Sequence, residues 1–455
     1  MTDGQGVTRA ILKPGRAWGS SFPGGLAVAV TGLALVQACA AATFRAGPEN
    51  YLPILGKLQP GDTLMLAPGL YSDGLPVHRM AGAPGRPIVI RGPRAQPPAR
   101  FLARRGAHTV SIINSAWVEI HDLELDGNGL PVAAVRAEGH ADWAHHITLN
   151  GLLIKGHGAD QSIVGIAVFC PAWNWVIRNN VIVGAGTGMY LGQSDGTAPF
   201  IAGIIEGNVI TDTIGYNLQI KHQQTRPLLQ GMPQKSSVTI IRRNVFAKSA
   251  NSSVDKMARP NLLVGHWPKS GPGAEDTYVI YGNFFHQNPT EALFQGEGNV
   301  AFYSNVLVNT RGSAVHIQPH NDVPRRVDIF HNTVLAGGNG IRVTGGHPEH
   351  AQRIFANAVF AETPIAGGEQ HSNITGLPGE AAEYLAQPNE PPGRLNLAPR
   401  RGRLRIAPYD FLPIPGAPDA GRDFDGRIYR VPMAGAYSEN RPQWHLQVAP
   451  KPRSR

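Results

Sequence analysis

The chain of 455 residues holds only two cysteines, Cys39 and Cys170, so no internal disulfide framework supports it and its stability rests on packing. Charged residues are scarce at 16%, while 42% of residues are hydrophobic, a balance that excludes a disordered chain. No apolar run approaches 18 residues, so no internal transmembrane helix is expected. Phosphate-binding loops, zinc-protease helices and nucleophile elbows are missing as well, and nothing points to a nucleic-acid partner. What the chain has in excess is chain breakers. Its 54 glycines and 38 prolines make up about a fifth of it, which rules out long helical bundles and coiled coils.

Residues 1–39 read as an export signal. Arg9, Lys13 and Arg16 precede the apolar stretch 25–36, and small residues follow. Val36-Gln37-Ala38-Cys39 fits a lipoprotein box that would acylate Cys39, and Ala38-Cys39-Ala40 fits ordinary cleavage. The expected destination is the periplasm, the outer membrane through a lipid anchor, or the medium. A net charge of +9 favours anionic partners such as acidic polysaccharides.

A short unit recurs through the chain. Its copies are VIRNNVI (176–182), IIEGNVI (204–210), IIRRNVF (240–246), VIYGNFF (279–285), AFYSNVL (301–307), DIFHNTVL (328–335) and RIFANAVF (353–360). The positions Asn180, Asn208, Asn244, Asn283, Asn305, Thr333 and Ala358 are taken as equivalent, at intervals of 22–39 residues. Short strands at such intervals, with glycine and asparagine at the corners, indicate an all-β solenoid of stacked coils. Asparagine suits a corner because it tolerates left-handed backbone and can bond its equivalent in the next coil.

With LQPGDTLMLAPGLY (58–71) and GAPGRPIVIRGP (82–93) at its opening and RDFDGRIYRVPMAGAY (422–437) at its close, the chain resembles the right-handed parallel β-helix proteins, in particular the alginate lyase and chondroitinase B group (polysaccharide lyase family six). The resemblance implies a single-stranded right-handed parallel β-helix over 43–379. A Pro/Arg-rich strap and terminal coil over 380–437 and a loosely ordered tail over 438–455 follow, and the chain is expected to be a monomer.

Residues two apart on a strand share a face. In Tyr216–Lys221, Leu218 and Ile220 can point inward, leaving Asn217, Gln219 and Lys221 outward. Aligning the second strands places Ser194, Lys221, His266, Glu297 and Gln318 in one outward column, and Gly192, Gln219, Val264, Gln295 and His316 in the next. Such a column suits elimination at a uronate, which needs a base, a neutraliser for the carboxylate and a proton donor. The family resemblance implies a lysine base, an arginine and a calcium site. Lys221 is the expected base with His266 as second candidate, and Arg243, beside Arg226 and Arg242, supplies the arginine. Tyr190 and Trp267 join Asn217, Gln219, Gln295, Glu297, His316 and Gln318 as substrate-binding candidates. Ca²⁺ could hold the carboxylate, but Asn217 and Gln219 stand where acidic ligands would be needed, so no metal ligands are assigned. The expected activity is a polysaccharide lyase. The alternatives are a non-catalytic envelope protein that handles an exopolysaccharide, a glycoside hydrolase drawing on Asp195, Glu206, Asp212 and Glu297, or a C5-epimerase.

Overall fold

The computed structural model describes residues 40–94, 97–409, 417–438 and 442–451. The expected export segment 1–39, with Cys39 in it, lies outside the described residues. From Thr43–Ala46 to Ile374–Gly376 the described strands wind as a parallel β-helix, in a fold that is almost entirely β. Short strands return in turn to three faces. The first face runs from Thr43–Ala46 to Glu369–His371 within a 15-stranded sheet, and the second and third share a 21-stranded sheet.

The inward side of each face explains the repeat. On the first face, Ile90, Ile120, Leu149, Ile177, Ile205, Ile241, Ile280, Phe302, Ile329 and Ile354 form one column with one residue per coil, all fully buried. Burying each such side chain contributes about 1.5–3 kcal/mol before the cost of ordering the chain. Cys170 is buried in the same core, and burial pushes its thiol up to about 12, so it is an inert packing group.

The corner between first and second faces carries a buried asparagine ladder. The backbone N–H and Nδ2 of Asn180 donate to Oδ1 of Asn208 at 3.0 and 2.9 Å, and Nδ2 also donates to the Leu149 carbonyl at 3.1 Å. The same pattern continues through Asn244, Asn283, Asn305, Asn332 and Asn357 to Asn373. Two assignments shift here. Thr333 stands opposite Val306 and Ala358 opposite Thr333, each one residue past the rung, and the true rungs are Asn332 and Asn357. The left-handed residue is also the one before each rung, such as Asn179, Arg243, Ser304 and His331, so the rung asparagine is there for its amide.

The segment after residue 380 packs along the outside of the helix. The outward row Val209, Val245, Phe284 and Val306 of the second face is covered by Leu385, Leu397, Trp444 and Leu446. On the first face, the stack Tyr281–Tyr303–Phe330–Phe355 has ring separations of 5.0, 4.7 and 4.8 Å and meets Ile406 and Tyr409. Where a loose tail was expected, Trp444 and Leu446 are buried.

Candidate functional site

Lys221 stands on the third face, at its middle coils. Its strand, Leu218–Ile220, lies between Thr187–Leu191 and Leu262–Val264, with Leu218 and Ile220 in the core. The Lys221 N–H donates to the Leu191 carbonyl at 2.9 Å, and the Gly265 N–H donates to the Ile220 carbonyl at 3.0 Å. Lys221 therefore faces Gly192 on one side and Gly265 on the other. Its column continues through Glu297 to Gln318, because Val264 pairs with Gly296 and Gly296 with Ile317. The neighbouring column is Tyr190, Gln219, Leu263, Gln295 and His316.

The expected columns were thus out of register at Ser194 by two residues and at His266 and Val264 by one, and Gly192 belongs beside Lys221. The reason is steric. A Cβ at Gly192 would sit 3.2 Å from the Lys221 Cβ, and one at Gly265 would sit 2.4 Å from the His222 nitrogen. The glycines occupy the lysine's own column because the chain leaves the sheet there and passes close by.

That departure also sets the local chemistry. Past Ile220 the alternation of the strand ends, and His222, which alternation would turn inward, faces the same crevice. His266 returns to it from the next coil, with its ring 5.2 Å from that of His222. The crevice, of about 410 Å³, is lined by His222, Gln224, His266, Lys269 and Asn321 among others. Lys221 lies beside it, half-buried, with its Nζ 6.0 Å from the centre of the Tyr190 ring. Desolvation holds its pKa below the ordinary lysine value, partly opposed by the charge of Glu297. Desolvation likewise lowers His222, helped by Lys221 and His266, and raises Tyr190 to about 12.

Several candidates have other employment. Glu297 is buried, and its carboxylate accepts the backbone N–H groups of His266, His320, Asn321 and Asp322 at 3.2, 3.0, 3.0 and 2.9 Å. It pins the 320–322 turn against the His266 turn and is not open to a ligand. Trp267 is buried in the core, stacked on Tyr278 at 4.0 Å, so it offers no face to a sugar. Asn217 does not face solvent: it is fully buried at the corner, and its Nδ2 donates to Thr213 Oγ1 and the Ala247 carbonyl. Gln219 faces outward but is only 4% exposed. Gln295, His316 and Gln318 are half-buried farther along the face, and His316 Nε2 is buried without a partner.

None of the three arginines is beside Lys221. Arg243 is the left-handed corner residue between first and second faces, near Lys451. Arg242 donates to Glu206 and to the Tyr281 hydroxyl on the first face. Arg226 is buried, paired with Asp276 at 2.5 Å, and braces the loop after His222. The donor set does not fit calcium either: Asn217 is fully buried at the corner, Gln219 is enclosed, and the carboxylate in the Lys221 column, Glu297, is saturated by N–H donors. His222 was legible only as the neighbour of Lys221; that it shares the crevice follows from the exit of the chain from the strand.

The chain matches no protein-family model and no curated protein sequence. Among solved structures it is similar to an alginate lyase from Paenibacillus sp. (16% identity, TM-score 0.44, covering 74% of this chain and 98% of that one). It is also similar to a pectate lyase (9%, 0.47, covering 88% and 97%). An α-1,3-glucanase from Streptomyces thermodiastaticus is a further neighbour (10%, 0.44, covering 74% and 70%). At such identities the likeness is one of chain winding, and the chemistry has to come from this chain's own side chains.

Proposed function

We propose that the protein is a polysaccharide lyase that cleaves a uronate-containing glycan by β-elimination on its third face, with Lys221 as base. One observation carries this reading: a half-buried lysine, its ammonium disfavoured by desolvation, stands 6.0 Å from a tyrosine whose phenol stays protonated. Neutral Lys221 takes the C5 proton, the C4–O bond breaks, and Tyr190 protonates the departing oxygen. The product is an unsaturated uronate, and water returns the proton from Lys221 to Tyr190. Lys269 supplies the positive charge of the crevice that meets the substrate carboxylate, and His222 and His266 line it as hydrogen-bonding rings.

The hydrolase reading needs two free carboxylates a few ångströms apart. Glu206 is held by Arg242 on another face, and Glu297 is saturated by backbone donors. A non-catalytic glycan-binding role is favoured by a different fact, the distance of Arg226, Arg242 and Arg243 from Lys221, since an arginine beside the base is what the lyase resemblance implied. Both readings place an acidic polysaccharide on this face of an exported protein.

A panel of alginate, pectate and chondroitin, followed by the ultraviolet absorbance of the conjugated product, separates them. Elimination should appear with the wild type on one of these polymers and vanish in Lys221→Ala. Full activity in Lys221→Ala would overturn the site. Reducing ends without the absorbance would turn the reading to hydrolysis, and binding without turnover would turn it to a glycan-binding protein.

A further inference from the structure

We infer that Arg259, on the opposite edge of the third face from Lys221, binds a second carboxylate of the same acidic glycan chain, so that the polymer lies across the face, parallel to its strands. The inference rests on the uronate-binding reading above and adds the direction and length of the bound segment.

Arg259 ends the insertion that follows Val245–Ala247 and leads into the third-face strand Leu262–Val264. Its main chain is fixed from below. The buried Lys248 Nζ and the Asn288 Nδ2 both donate to its carbonyl, each at 2.9 Å. The insertion itself is tied to neighbouring coils by Gln161 Nε2 to the Met257 carbonyl and Thr290 Oγ1 to the Ser253 carbonyl. The half-buried guanidinium lies over the Tyr216 ring at 5.8 Å. Its Nη1 donates to the carbonyls of Lys256 and Ala258, which orients the fork.

Like Arg178, Arg243 and Arg326, Arg259 has no ion-paired carboxylate among the described residues; what it adds is an oriented fork over an aromatic ring on the third face. Among the described residues, Arg136, Arg226, Arg242, Arg325 and Arg353 each lie within 4.0 Å of one, while no such ion pair is found for Arg259. Glu291, the acid closest in its effect on this cluster, accepts the Ala292 N–H at 2.8 Å. A preformed fork without an ion-paired anion, over an aromatic face, is an arrangement that can take a carboxylate bidentately.

A row of side chains joins the two edges: Arg259 over Tyr216, Tyr216 within electrostatic reach of Tyr190, and Tyr190 beside Lys221. Six strand positions at about 3.3 Å each put the two ends of that row up to roughly 20 Å apart. That upper limit is a span of several sugar rings, which a hexasaccharide can bridge, and a disaccharide held beside Lys221 should stop short of Arg259.

The test uses the full-length protein carrying Lys221→Ala, so that bound substrate is not consumed. Its binding to disaccharide and hexasaccharide uronates from alginate and pectate is measured with and without Arg259→Ala or Arg259→Lys, and circular dichroism checks that each variant is folded. Arg259→Ala should weaken hexasaccharide binding roughly tenfold or more, the effect of losing one charge-assisted pair, and leave the disaccharide unchanged. Arg259→Lys should recover part of the loss, and added salt should narrow the difference. Unchanged hexasaccharide binding, or an equal loss for both lengths, would overturn the inference while leaving Lys221 in place. Failure of the parent protein to bind any uronate would remove the glycan reading and this inference together. An Arg259 effect that persists while Lys221→Ala still turns over substrate would support the inference and overturn only the base assignment.

Discussion

The outer sides of the second and third faces are built from the same coils, yet they differ in kind. On the second face the outward row Val209, Val245, Phe284 and Val306 is apolar and lies under the C-terminal segment, with Phe284 packed against Trp444. On the third, the row Tyr190, Gln219, Leu263, Gln295 and His316 is mostly polar and leads to Lys221 and a crevice. Inward columns have little choice, since each must fill the space between coils. Outward columns are free, and their composition records what covers them. Where the C-terminal segment packs on it, the row is hydrophobic; on the third face the row keeps donors, acceptors and titratable groups, even where Gln219 is buried.

Substitution on each face should separate stability from chemistry. The largest effect is expected at Lys221→Ala, which should cost a factor of about 10²–10⁴ in elimination while the melting temperature changes only slightly. Phe284→Ala should do the reverse, losing about 3–5 kcal/mol in denaturant unfolding with normal specific activity of the folded fraction. If Phe284→Ala cost activity and no stability, the division between covered and open faces would be wrong. At the corner between the first and second faces, Asn283→Ala removes an amide that donates to Asn305 and Ile241 and accepts from Asn244. Leaving those buried partners unpaired should cost about 1–3 kcal/mol per group, read in the same unfolding experiment, and Asn283→Asp should not restore it because the donor is lost.

The winding was legible because every coil repeats one constraint. A β-branched inward residue and a corner asparagine recur at each turn, so Asn180, Asn208, Asn244, Asn283 and Asn305 could be aligned without coordinates. The alignment slipped at Thr333 and Ala358, although DIFHNTVL and RIFANAVF carry their asparagine at the same fifth position as AFYSNVL and their added residue comes after it. Lys221 was legible as an outward residue because Leu218 and Ile220 fix the alternation before it. Its neighbours were less so, since strand alternation says nothing about a chain that has left the strand. His222 was missed for that reason, and Ser194 and His266 were misplaced. Trp267 and Glu297 could not be read from type alone: whether a tryptophan faces a sugar or the core, and whether a carboxylate is open or capped by four N–H groups, depends on turns that only the folded chain defines.

The smallest effect tests the electrostatic basis of the contrast. Lys221 has its folded pKa lowered from the ordinary 10.5, chiefly by desolvation. Between that lowered value and 10.5 the unfolded chain binds more protons than the folded one, so the contribution of this group to stability improves as pH rises through that window. Below the window the penalty for holding the ammonium is fully present. Lys221→Met, which keeps the stem and removes the charge, should therefore melt slightly above wild type near neutral pH, and its advantage should shrink as pH approaches 10.5. Solvent reaches the half-exposed side chain, so the gap should be small. The same lowering predicts that elimination rises with pH through a limb lying below the ordinary lysine range, since only the neutral amine can take the proton. If Lys221→Met were the less stable protein at neutral pH, with a gap that did not change on the alkaline side, the third face would be stabilising the ammonium. A lysine so held would be an anchor for anions, and the base would have to be sought at His222 or His266.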